Sequence, residues 1–149
     1  MATDWMRIEW EHGKQRFQPK KKLNPNEALA SYEETLKINP DDVEALHNKG
    51  IMLSQLERDE EALRCFDQAL KLKPDFAEAW DDKGVVLSNL EGPEAALPYF
   101  DKAVKLKPDL SRAWLHKGLS LANLGRLDEA AMAYIEANKH PSQWLKFQH

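Results

Sequence analysis

Two of the five histidines, one adjacent pair of carboxylates and a lone cysteine are the side chains here whose types and places could do chemistry. His47 and His116 could ligate a transition metal, Asp81 and Asp82 could share acid–base work, and Cys65 could act as a nucleophile. Spacing argues against each. The histidines belong to copies of a sequence repeat that lie two periods apart, too far to share an ion if the copies stack. Consecutive carboxylates diverge on a helix, and the sequence offers neither an evident partner. Cys65 stands among apolar helix positions and reads as packed rather than reactive. No nucleotide-binding Gly-rich loop, His-Glu-x-x-His or Cys-x-x-Cys occurs. The reading is non-enzymatic, with no cofactor and no metal.

The elements that position these residues recur every 34 residues. Lys49-Gly50 returns as Lys83-Gly84 and Lys117-Gly118; Ala62, Phe66 and Ala69 return as Ala96, Phe100 and Ala103, then as Ala130, Tyr134 and Ala137. A fixed period of this size signals stacked helical units, each burying its apolar face on its neighbours. Two helical patterns alternate within the period. The first covers 43–56, 77–90 and 111–124, with Leu46 or a Trp (Trp80, Trp114), then Gly and two leucines on one face. The second covers roughly 59–72, 93–106 and 127–139, where small alanines flank the aromatic. Glycine and alanine at fixed positions let two antiparallel helices approach, and the aromatic fills the space between them.

Boundary signals agree. Asp41 with Glu44 and Asp75 with Glu78 have capping-box spacing. Pro40, Pro74 and Pro108 fall just past second helices, and lysines crowd those ends, where the helix dipole favours cations. Upstream, Asn24, Pro25 and Glu27 mark the start of another second helix running toward Pro40. Residues 3–17, with Met6, Trp10, Gly13 and Phe17 at helical spacing, are read as its first helix. Gly13 and Ala28 are then three residues further apart than in the other copies, and the Pro19-Lys20-Lys21-Lys22 run reads as a solvated inserted loop. Pro98, inside a second helix, predicts a kink at a cost of about 3 kcal/mol.

At these positions the chain resembles the tetratricopeptide-repeat family. Its pattern places Trp or Leu fourth, Gly eighth, Ala twentieth and twenty-seventh, an aromatic twenty-fourth and Pro thirty-second. Residues 43–76 and 77–110 match throughout; 111–141 departs only in that Pro141 comes one residue early. Lys49, Lys83 and Lys117 stand where the family usually has Leu, a place where a packed stem can leave its ammonium in water. The resemblance implies an all-α fold: a right-handed solenoid of antiparallel helix pairs, without strands. The expected organisation is a divergent repeat over 1–40, repeats over 41–74, 75–108 and 109–141, and a tail over 142–149, all one domain.

It also implies a partner-binding groove lined by the first helices. The expected lining is Glu44, His47, Asn48, Ile51 and Gln55, then Glu78, Asp81, Asp82, Val85 and Asn89, then Arg112, Leu115, His116, Leu119 and Asn123. Ile51, Val85 and Leu119 form an apolar ridge. Gln55, Asn89 and Asn123 can donate to and accept from a peptide backbone. Glu44, Glu78, Asp81 and Asp82 make the middle acidic, which favours a protein or peptide partner with basic and apolar residues. Members that hold chaperone tails ending Glu-Glu-Val-Asp carry a clamp of Lys, Asn and Arg. Counted from residue 43, those positions hold His47, Ile51, Asp82, Arg112 and His116, so such a tail is not expected to bind.

The function read from this is a protein–protein interaction module. The alternative is a self-associating scaffold or assembly factor stacking through its terminal repeats. Asn138 and His140 replace apolar residues of earlier copies, as a last repeat requires. The remaining eight residues carry Trp144, Leu145 and Phe147, read either as a minimal cap on Ala133, Ile135 and Ala137 or as a homo-oligomer contact. A net charge of −4 gives no global attraction to nucleic acid or an anionic membrane. The lone cysteine, together with the absence of a signal-peptide core and of any long apolar run, reads as cytoplasmic.

Overall fold

The structure, a computed structural model, describes residues 6–11, 14–19 and 23–140. Among the described residues, seven helices follow a short antiparallel hairpin: β1 (Met6–Glu11), β2 (Lys14–Pro19), α1 (Pro25–Ile38), α2 (Val43–Gln55), α3 (Asp59–Leu72), α4 (Ala77–Glu91), α5 (Pro93–Leu106), α6 (Ser111–Asn123) and α7 (Leu127–Lys139). The helices form an all-α solenoid. Within it α2 packs on α3, α4 on α5 and α6 on α7, while α1·α2, α3·α4 and α5·α6 join successive units. First helices also touch along the array, α2 with α4 and α4 with α6. No described helix is long and apolar enough to cross a membrane.

The glycine–aromatic pairing explains each helix pair. A Cβ built on Gly50 would lie 2.6 Å from Phe66 Cε1, and Gly84 meets Phe100, and Gly118 Tyr134, at the same 2.6 Å. Only hydrogen fits there. Phe66 and Phe100 are almost wholly buried, with Ala62, Ala69, Ala96 and Ala103 closing the interface at zero exposure.

The joints between units carry a second code. Lys83 Nζ lies 2.6 Å from Asp67 Oδ1 and Lys117 Nζ 2.9 Å from Asp101 Oδ1; Lys49 reaches Glu33 more loosely, at 3.9 Å. Each seventh-position lysine thus pairs with the acid sixteen residues earlier, on the preceding second helix. Trp80 Nε1 donates to the Pro74 carbonyl at 2.8 Å and Trp114 Nε1 to that of Pro108 at 2.7 Å. Each indole is pinned to the turn that begins its own repeat.

Several expectations are corrected. Residues 3–17 do not supply a first helix, because Met6–Glu11 and Lys14–Pro19 pair as strands, with Ile8 opposite Phe17. The segment satisfies both periods: Met6, Trp10, Gly13 and Phe17 recur at helical spacing, while Met6, Ile8 and Trp10 alternate with Arg7, Glu9 and Glu11. β-branched and aromatic residues around a His-Gly pair favour the hairpin. The solenoid is therefore strand-free, but the chain is not. Capping is also displaced. Asp42, not Asp41, caps α2 by accepting from Ala45 N. Asp75 does not cap α4, which starts two residues later behind Phe76; Phe76 is buried with Leu70 and Ala79, so apolar anchoring replaces the polar cap. The capping box of Asn24 and Glu27, with Pro25 opening the helix, is present as read. Helix α5 runs continuously through the exposed Pro98, which stands in the second turn of the helix.

Candidate functional site

The fifth and sixth positions of the first helices form ion pairs between neighbouring repeats. His47 Nε2 on α2 lies 2.5 Å from Asp82 Oδ2 on α4. Asp81 Oδ1 on α4 lies 2.8 Å from His116 Nδ1 on α6. These are one geometric pair used twice with acid and base exchanged, each spanning 35 residues, one period plus one. Arg112 closes the set. Its Nε stands 3.2 Å from Asp81 Oδ2, a close ion pair outside hydrogen-bond geometry, and its Nη2 donates to Asp82 Oδ2 at 3.3 Å. Asp81 is fully buried and His47 nearly so. The His47 ring meets Phe76 edge-on at 4.7 Å, and the His116 ring lies 5.5 Å from Phe100. A carboxylate this deep needs partners, and the His116 imidazole and the Arg112 guanidinium both converge on Asp81.

Glu78 is likewise engaged, accepting from Lys107 Nζ at 2.7 Å. Burial alone would raise its carboxyl, but the Lys107 hydrogen bond, with the nearby Lys107 and Arg112 charges, holds it below the ordinary carboxylate value. The acidity expected along the middle of the groove is therefore spent within the array. Of its four carboxylates, Glu78, Asp81 and Asp82 have internal cationic partners, while Glu44 is exposed. The histidines sit in separate pairs, and no described group of three or more His, Cys, Asp or Glu is placed to hold a metal. Cys65 is buried, and burial pushes its thiol up.

Beyond the ion pairs, the ridge and carboxamide positions come together around two hollows. One, of about 90 Å³, is lined by Ile51, Ser54, Gln55, Asp82 and Val85 over Phe66. The next, of about 180 Å³, is lined by Val85, Ser88, Asn89, His116, Leu119 and Asn123 over Phe100. Val85 is the shared wall, so the hollows repeat along the array with the same chemistry: an aliphatic wall, an aromatic floor, and hydroxyl and carboxamide rims. Leu115 and Leu119 stand well exposed at the α6 end. Glu44, His47, Asn48, Glu78, Asp81, Arg112 and Leu115 line neither hollow. Sequence reasoning missed Lys107 and the inter-repeat pairing, although complementary residues one period plus one apart were a readable signal.

Tetratricopeptide-repeat family models match residues 43–76 and 82–142. Among solved structures the chain is similar to the crystal structure of MamA, at 22% identity and a TM-score of 0.70, covering 84% of this chain and 72% of that one. It is also similar to MamA 41-end from Desulfovibrio magneticus RS-1, at 32% identity and a TM-score of 0.66, covering 76% of this chain and 64% of that one. A third similar structure is YrrB, described as a TPR protein with an unusual peptide-binding site, at 31% identity and a TM-score of 0.63, covering 78% of this chain and 60% of that one. The chain thus spans less than two thirds of the length of the latter two. No curated protein matches it. Paired helices of one period, a glycine closed over by an aromatic in each, and two matching family models lead to one conclusion: the chain belongs to the tetratricopeptide-repeat family.

Proposed function

We propose that this chain is a protein–protein interaction module that takes an extended partner segment across the face shared by α2, α4 and α6. The observation that carries the reading is the repetition of one hollow in successive repeats, aliphatic-walled and rimmed by Gln55, Asn89 and Asn123. Apolar side chains spaced along a partner would enter the hollows, while the carboxamides pair with its backbone without reading its sequence. Interaction is the general role of this repeat family, and the similar YrrB is described as having a peptide-binding site.

The partner chemistry differs from the sequence expectation. Glu78, Asp81 and Asp82 already hold Lys107, His116, His47 and Arg112, so a basic segment gains little by displacing them. An apolar, weakly charged segment fits better. Phage display of random peptides on the intact chain, followed by calorimetry, tests this. Selected peptides should lose at least tenfold affinity on Val85→Arg and be unaffected by Glu60→Lys on α3. Equal binding to both variants would sink the reading.

A second reading, self-association, rests on the last helix. Where Glu33, Asp67 and Asp101 accept a lysine from the next repeat, the final copy has Ile135, 55% exposed, on a helix that also exposes Leu127 at 67% and Met132 at 66%. That edge cannot take another repeat by the lysine–acid code and offers apolar contact instead. Sedimentation equilibrium of Ile135→Asp against the parent chain tests it: a shift toward monomer supports the reading, and identical profiles remove it.

A further inference from the structure

On the side of α6 roughly opposite the hollows of the first-helix face, α6 and α7 enclose a larger hollow of about 340 Å³, whose lining includes Trp114, Lys117, Glu129, Met132, Ala133 and Glu136. One period earlier the equivalent space is filled. There Tyr99 stacks on Trp80, ring centroids 6.0 Å apart and 30° from parallel. Lys83 Nζ lies 4.8 Å from the Tyr99 centroid and Lys102 Nζ 5.9 Å from that of Trp80. In the last repeat the tryptophan and its lysine persist, Lys117 Nζ standing 5.3 Å from the Trp114 centroid. The tyrosine does not: Ala133 takes its place. Glu129 and Glu136 at the rim are held by Arg126 at 2.7 Å and Lys139 at 2.6 Å, so their charge is met. The hollow is missing a ring between Trp114 and Lys117.

We infer that the chain's own segment 141–149 docks here, with the Trp144 ring in the place that Tyr99 holds one repeat earlier. Reach permits it. Ala133 lies seven residues before His140, about 10 Å back along the helix. Four residues from His140 to Trp144 extend up to about 14 Å. Chemistry favours it as well: an aromatic face stacks on Trp114 and accepts Lys117 as a cation–π partner, as Tyr99 does for Lys83. This surface is separate from the first-helix face, and the inference does not depend on the function proposed for that face.

The test uses the intact chain labelled with 5-fluorotryptophan, with the Trp144 fluorine resonance assigned by Trp144→Phe. The expected result is a Trp144 resonance displaced from that of a solvent-exposed indole, returning to the exposed position in Ala133→Tyr, where the new ring fills the hollow. Thermal melting gives an independent readout. Trp144→Ala should lower the midpoint by roughly 3–6 °C in the parent chain and leave it unchanged in the Ala133→Tyr background. A Trp144 resonance already at the exposed position in the parent, or equal effects of Trp144→Ala in both backgrounds, overturns the inference. So does a displaced resonance that disappears on dilution, since the occupant would then be the tail of a second copy.

Discussion

Replacing His116 by alanine tests whether the inter-repeat ion pairs hold the array together. Asp81 has zero exposure, and its Oδ1 contact to His116 Nδ1 is 2.8 Å. Removing the imidazole leaves a buried carboxylate whose remaining cation, Arg112, is 42% exposed and outside hydrogen-bond geometry. Breaking a buried pair costs about 3–5 kcal/mol when the survivor is stranded, and a hydrogen bond to a charged group contributes about 1.5–3 kcal/mol. Because Arg112 stays, the lower range applies, about 2–3 kcal/mol. For a chain of this size that is a fall in melting midpoint of roughly 4–12 °C at pH 7. Circular dichroism melts of His116→Ala, Asp81→Asn and the double variant read both the loss and the coupling. The single effects should fail to add by about 1 kcal/mol or more, because each removes the same contact. A midpoint within 2 °C of the parent for His116→Ala, or strict additivity in the double variant, would refute the reasoning.

Further outcomes follow from the same geometry. Gly84→Leu should lower the melting midpoint strongly, since even a Cβ lies 2.6 Å from Phe100; overpacking costs about 1–3 kcal/mol or more, and an unchanged melt would mean the helix pairing is wrong. A peptide ending Glu-Glu-Val-Asp should show no micromolar heat of binding in calorimetry, because Arg112, the one suitable clamp residue counted from residue 43, is engaged by Asp81 and Asp82. The Glu78 carboxyl is held below its ordinary value in the folded chain, so its contribution is present above the ordinary carboxylate range of about 4.3 and is lost as pH falls through the folded value. Glu78→Gln should therefore flatten the acid limb of a stability-against-pH curve, and a curve parallel to the parent's would contradict this.

Much of the fold was legible because each helix pair writes its own contact into the sequence: a glycine sixteen residues before an aromatic leaves room for one ring and nothing else. Helix bounds followed from the same pattern, all falling within about two residues of the reading. The site was less legible. A helical wheel sorts the residues of one helix into faces, but His47–Asp82 and Asp81–His116 arise between helices, from the offset with which one repeat sits on the next. The lysine–acid joint was written as plainly as the glycine–aromatic one, yet its lysines were read as stems packed beneath free ammonium groups. The hairpin was ambiguous in principle, since Met6–Phe17 carries both a helical and an alternating apolar pattern, and local propensity decided between them. The cap reading failed at Asp75 because burying Phe76 outweighs a polar cap. The reading of Trp144, Leu145 and Phe147 as a cap or a contact lies outside the described residues.

The central claim, that the face shared by α2, α4 and α6 takes a partner segment in its repeated hollows, is tested most directly by amide chemical-shift mapping of the intact chain with a display-selected peptide. The account predicts perturbations clustered at Ser54, Gln55, Val85, Ser88, Asn89, Leu119 and Asn123, with the backs of α3 and α5 silent. Perturbations confined to α3, α5 and α7, leaving those residues unmoved, would contradict it.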